Sequence, residues 1–274
     1  MSAAPPTVRA PAGTSAGRWL GGRSVASNIV IKAASVVVLL LVWQLISATQ
    51  GLLPGPIAVG DRLINVVLHE NYAFHLGKTM FRVLAGLLFS MVLATLIGIP
   101  MGLFRFAERF FETYVLVGLT IPGLAWALLA VMIVGINDWA PILAITVTTT
   151  PMIILNLWQG TKGIDMGVLE MSKAFRANRR LVIRHVVLPQ LLPFLMAGVR
   201  LGLALAWKIV VLSELFGLSN GVGYQLNLNF ASFSLDGVLA WTIAFTFVMG
   251  LIEFVVIRPI DKRVTRWRPD VQGA

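Results

Sequence analysis

The chain has 274 residues, 57% of them hydrophobic and only 12% charged, with a formal net charge of +10 and no cysteine. A soluble domain typically carries about twice that charged fraction, so a water-soluble enzyme or nucleic-acid-binding domain is set aside in favour of an integral membrane protein. Without cysteine there are no disulfides and no thiolate metal ligands, and the redox compartment stays unreadable.

Residues 1–28 are rich in Ala, Pro, Gly and Ser with Arg9, Arg18 and Arg23, and read as a disordered cytoplasmic tail. The apolar run 29–49 is longer than the core of an ordinary signal peptide, and no small-x-small cleavage pattern precedes Leu52. It reads as a retained first span, a signal peptide being the alternative. Pro54, Gly55 and Pro56 end it, and Leu63, Val66, Val67 and Phe74 are spaced as a short amphipathic helix at the interface. His69, Glu70 and His75 flank that helix. A metal site needs convergent ligands, so these read as solvated loop residues.

The second span, 80–104, contains Gly98-x-x-x-Gly102, a pattern that lets helices approach closely. The third, 111–136, carries Pro122, Gly123 and Trp126 in IPGLAW. Pro and Gly inside a span free backbone groups that must face protein or a water-lined path, which makes Trp126 a candidate path residue. In the fourth, 140–158, Thr146, Thr148, Thr149 and Thr150 precede Pro151. Their hydroxyls either bond back to their own helix or, with Thr146 and Thr149 foremost, form a polar wall on a translocation path. The fifth span, 191–216, holds Gly198-x-x-x-Gly202 around Arg200, then Trp207, Lys208 and Glu214. A polar loop follows, then a sixth span, 238–257, with Glu253 and a basic tail.

The longest polar interruption is 165–189, with Lys173, Arg176, Arg179, Arg180 and Arg184. As one helix it would carry Lys173, Arg176, Arg180 and Arg184 as a basic stripe and Ala174, Leu181 and Leu188 as an apolar line. Loops on the cytoplasmic side are basic in any case; a basic and an apolar face together suggest a docking surface. The stretch resembles the coupling-helix signature of bacterial ABC-importer permeases, with Glu170 at the acidic position, Ala174 at the small position and Val187-Leu188-Pro189 as the ending. Met171-Ser172 stand where that signature has Ala-Ala, and Arg176 where it has Gly. A residue with a side chain adopts the positive φ of a tight turn less readily than Gly.

Lys and Arg fall almost wholly on one side of the six expected spans, which puts both termini and the 165–189 loop in the cytoplasm. LLPGPIAV, KTMFRVLAGL, IPGLAW, AGVRLGLALAW, SELFG and GVGY, in that order, resemble the permeases of the nitrate/sulfonate/taurine-type group of ABC importers. The resemblance implies an all-α polytopic fold of the type I importer kind in the bacterial inner membrane, with residues 29–268 as the permease domain and 269–274 as a tail. It also implies two cytoplasmic ABC ATPase subunits that bind ATP and Mg, a second permease copy, an extracytoplasmic substrate-binding protein and surrounding lipid. The chain itself carries no phosphate loop, since Gly160-Thr161-Lys162 lacks the upstream Gly, so no cofactor and no catalysis are expected of it. Glu170, Ala174, Arg176, Arg180, Arg184, Leu188 and Pro189 are the candidate ATPase-coupling residues. Trp126, Thr146, Thr149, Trp207, Lys208 and Glu214 are the candidate path residues, Lys208 attracting an anionic solute unless it pairs with Glu214 or another carboxylate within the membrane. An ATP-independent transporter or channel is the alternative. An intramembrane enzyme lacks a convergent catalytic set.

Overall fold

The computed structural model describes residues 25–51 and 53–265, all of whose regular elements are helices. Two compact units meet at Pro56. The first contains α1 (Val25–Gln50), whose long apolar run is of membrane-spanning length. Trp43 Nε1 donates to Pro54 O (3.1 Å) and Ser47 Oγ to Leu53 O (2.8 Å), so the Pro-rich exit folds back onto the end of its own helix. The helix starts at Val25, inside the stretch expected to be disordered; Arg9, Arg18 and Arg23 lie outside the described residues.

The second unit runs α2 (Pro56–His69), α3 (Tyr72–Leu103), α4 (Arg105–Thr120), α5 (Gly123–Val134) and α6 (Trp139–Lys162). Then come α7 (Met166–Ala174), α8 (Arg179–Val182), α9 (Leu188–Leu215), α10 (Val222–Ala231), α11 (Leu235–Ile252) and α12 (Arg258–Thr265). Two π-helical turns, Ile183–Val187 and Glu253–Ile257, join α8 to α9 and α11 to α12 without a break. Helix α6 is the centre, packed against α3, α4, α5 and α9. In lipid no hydrophobic effect drives helices together, so close approach of small residues has to do it. Both GxxxG pairs serve this: Gly98 and Gly102 of α3 lie against Ile154, Leu157 and Thr161, and Gly198 and Gly202 of α9 lie against Ile153.

Three expectations change. The third span is broken: α4 and α5 meet at a 99° bend at Ile121-Pro122, where the missing Pro N–H and the extended backbone end one helix and start another. The ion pair of Glu108 with Lys162 holds the start of α4 beside the end of α6, whereas α5 leads directly to the opposite end, where α6 begins. With the bent pair taken as one crossing, the described residues hold six helical segments long and apolar enough to span a membrane, five of them uninterrupted. The second span starts eight residues early, taking in Phe74 and His75 and leaving α2 as the short amphipathic helix with Val59 and Val66 buried. The polar loop after the fifth span contains α10, and the basic tail continues as α12 to Thr265; Arg266 and Arg268 lie outside the described residues.

Candidate functional site

At the end of the bundle where α3 and α6 finish, the chain turns out into α7. Asp165 Oδ1 accepts from Gly167 N–H (2.8 Å) at its start. The basic stripe does not run along one helix, because the helix stops at Ala174 and a new one starts at Arg179. Between them Arg176 takes the left-handed conformation itself, φ 49°, and Asn178 caps α8 by accepting from Arg180 N–H (3.3 Å). The left-handed position between the two helices is thus occupied by an arginine, a residue that enters that region less readily than Gly. Glu170, Ala174, Arg176, Arg180, Arg184 and Leu188 are all exposed, and Pro189 is half-buried in the first turn of α9. At the tip Phe175 is 80% exposed, with Met171, Leu181 and Ile183 also open. The side chain of Lys173 is outside the described set. What protrudes is a two-helix element with an apolar crest and cationic flanks, continuous through a π turn with α9.

A groove of about 1140 Å³ runs between α9 and α11. At the α7 end it is closed by ion pairs: Arg200 holds Glu253 (2.9 Å) and Asp261 (3.7 Å), and Arg258 also reaches Glu253 (3.9 Å). Further along lie Trp207, edge-on to Phe245 (6.3 Å between ring centres), and Lys208, which is exposed to the groove. Trp207 and Lys208 therefore meet in one concavity.

The other expected path residues go elsewhere. Thr146 donates to Ile142 O (2.7 Å) and also to Gly86 O (3.2 Å), and Thr149 bonds Ser90 Oγ (2.6 Å) and Ile145 O (2.8 Å). Both are buried in the seam between α3 and α6, because back-bonding satisfies a hydroxyl where water is absent. In place of a polar wall, they staple two helices. Trp126 is half-buried on α5, just past the bend, its indole N–H without a hydrogen-bond partner among the described residues.

Glu214 is fully enclosed and does not face the groove. Its carboxylate accepts from Arg82 Nη1 (2.6 Å), Thr79 Oγ1 (2.9 Å) and Gly223 N–H (2.9 Å). Arg82, also 0% exposed, further donates through Nε to Asp138 Oδ1 (3.0 Å) and through Nη1 to Asn220 O (3.0 Å). This knot ties α3, the α5–α6 turn, the end of α9 and the start of α10. Gly221, at φ 112°, lets the loop lie so close that an added Cβ would stand 2.4 Å from the Glu214 carboxyl carbon. The hydrogen bonds from Arg82, helped by the charges of Arg82 and Lys78, hold the Asp138 carboxyl below the usual range despite partial burial. His75, expected to be solvated, is buried, accepting from Gly221 N–H at Nδ1 (3.1 Å). Glu70 accepts from Trp241 Nε1 (2.9 Å) and pairs with Arg62. Sequence reading missed Arg82, because its partners are 56 and 132 residues away.

A crossing bundle with a groove along one span and a protruding element continuous with that span defines the transmembrane subunit of a transporter. Residues 86–266 match the family described as binding-protein-dependent transport system inner membrane component, and the chain belongs to that family. It is similar to a probable ABC transporter permease protein of Brucella abortus, 28% identical over 227 residues that cover 82% of this chain and 90% of the relative. It is also similar to the putative aliphatic sulfonates transport permease protein SsuC of Bacillus subtilis, 28% identical over 241 residues (86% and 87% covered). The taurine transport system permease protein TauC of Escherichia coli is 25% identical over 264 residues (93% and 94% covered). Among solved structures, an inward-facing conformation of the MetNI methionine ABC transporter superposes with a TM-score of 0.59 at 21% identity, covering 70% of this chain and 95% of that one. That likeness bears on the fold alone: a type I importer permease. The chain is a multi-pass inner-membrane permease subunit of a binding-protein-dependent ABC importer, similar to permeases of the sulfonate and taurine systems, and the ATP-independent transporter or channel is set aside.

Proposed function

We propose that this permease, as one of two identical copies, forms the translocation path of an importer driven by ATP, for a small anion of the sulfonate or taurine type. Two cytoplasmic ATPase subunits bind the ATP and Mg, and an extracytoplasmic binding protein delivers the solute. Both termini and α7 face the cytoplasm. The observation that carries the reading is the exposed element α7–α8, whose Phe175 crest and flanking Glu170, Ala174, Arg176, Arg180, Arg184 and Leu188 offer a groove-filling surface left uncovered by the described residues. The backbone runs unbroken from α8 through the π turn, past Pro189, into α9, so the element is joined directly to the span beyond it. Closure of the ATPases on ATP would move α7 and α8 as a lever, and the unbroken run into α9 would pass the movement to the wall that carries Trp207 and Lys208. The sulfonate and taurine systems to which the similar permeases belong support the solute class.

The test is a mild-detergent pull-down from the native membrane with identification of the co-purifying proteins. An ATPase with a phosphate loop is expected, and it should be lost on Phe175→Asp. A chain recovered alone, moving solute in vesicles without ATP, would sink the reading.

A further inference from the structure

The groove between α9 and α11 contains two cations of opposite circumstance. Arg200 is neutralised by Glu253 and Asp261. Lys208, eight residues on and so about 12 Å along the helix, forms no ion pair or hydrogen bond among the described residues. The obvious candidate partner on its own helix is Glu214, but six residues place the two about 240° apart around the axis. Glu214 in fact points away into the knot with Arg82, Thr79 and Gly223. An uncompensated ammonium within a span is costly and persists where something pairs with it. The groove also holds Trp207 and Phe245, with Thr246 on the facing helix; the Thr242 hydroxyl there already donates to Val238 O (2.7 Å).

We infer that Lys208 is a specificity-determining residue of the permease itself, an anion-selecting station in the groove. It takes a monoanion with a compact oxyanion head on the ammonium and a short apolar body against the Trp207–Phe245 pair. The inference rests on the groove being part of the translocation path. It adds that discrimination is not left to the binding protein alone: a cation or a neutral solute of equal size meets no counter-charge here. The charge complementarity decides between occupants, since the two carboxylates that line the groove, Glu253 and Asp261, are both paired with Arg200.

The test uses iodide, an anionic fluorescence quencher, on the full chain in phosphatidylcholine nanodiscs, with the Trp207 signal obtained by difference from Trp207→Phe. Iodide quenching of Trp207 should fall by about three-fold or more in Lys208→Met, the enrichment expected of one nearby unit charge in a wet groove. Lys208→Arg should retain it, and quenching by neutral acrylamide should be the same in all three. Equal iodide quenching with and without the lysine overturns the proposal. So does loss of the enrichment in phosphatidylglycerol discs, which would assign the lysine to a lipid headgroup. Conversion of Lys208→Met to a monomer overturns it too, in favour of a contact with the second copy. In the assembled importer, butanesulfonate uptake should drop about ten-fold in Lys208→Met and recover in Lys208→Arg; uptake unchanged by the loss removes the inference. If the unaltered importer moves no butanesulfonate while the iodide enrichment persists, the solute class proposed above fails and the anion station stands.

Discussion

With Arg82 and Glu214 both wholly enclosed, each charge depends on the other for compensation. Arg82→Met should lower stability by about 3–5 kcal/mol, because it strands a buried carboxylate. Removing both partners should lose clearly less than the sum of the two single losses in thermal unfolding of the detergent-solubilised protein; simple additivity would mean the pair is not coupled. Asp138 adds a pH dependence of definite sign. Its folded-state value lies below the ordinary one, so its contribution is complete above about pH 4 and disappears as the pH falls through the lowered value. Asp138→Asn should therefore be less stable at neutral pH and should show a shallower acid-side decline, read from melting temperatures across pH 2–6. Arg176 offers the converse case. Arg176→Gly relieves a left-handed residue and should raise stability by about 0.5 kcal/mol; a loss would mean that the arginine side chain holds the turn.

Among the helices, α6 is gripped from two sides by small residues, and the grip is specific in position. A Cβ on Gly102 would stand 2.3 Å from Thr161 Cβ, whereas Gly77 on the same helix α3 has nothing within 4 Å. Gly102→Leu should cost about 1–3 kcal/mol by overpacking, and Gly77→Leu should be tolerated, as measured by yield and melting of the purified permease. Both GxxxG pairs were legible in the sequence, as were the spans, since apolar length is read directly from composition. The 99° bend was not, although Pro122 and Gly123 were noticed, because hydropathy is blind to backbone direction. Helix α10 was hidden for a related reason: its polar residues read as loop, yet Asn229 is buried and donates to Gln225 O (2.8 Å). At the site, Lys208 stood out as a charge within a span. The knot around Arg82 did not, because its members come from four separate parts of the chain and no local pattern joins them.

For the molecule as a whole, orientation is the property on which the transport cycle depends, and the natural absence of cysteine makes it easy to measure. Phe175 at the α7 end and Phe233, 91% exposed between α10 and α11, mark opposite ends of the bundle. In intact cells a membrane-impermeant maleimide should label Phe233→Cys and spare Phe175→Cys, and inverted vesicles should reverse the pattern. The opposite result would turn the transporter over. The π turn at Ile183–Val187, where Leu188 N–H reaches back five residues to Ile183 O, has a further consequence. Such a turn is one surplus residue in an otherwise regular helix. Deleting a single residue there would restore four-residue hydrogen bonding and leave the protruding element at nearly its present bearing, because the π turn absorbs the surplus residue within one widened turn. Deleting a residue from the regular helix on either side would instead shorten the rod by about 1.5 Å and swivel everything before it by about 100°. The direction in which the protruding element points is thus forgiving of length at this one turn and fixed by length everywhere else along the rod.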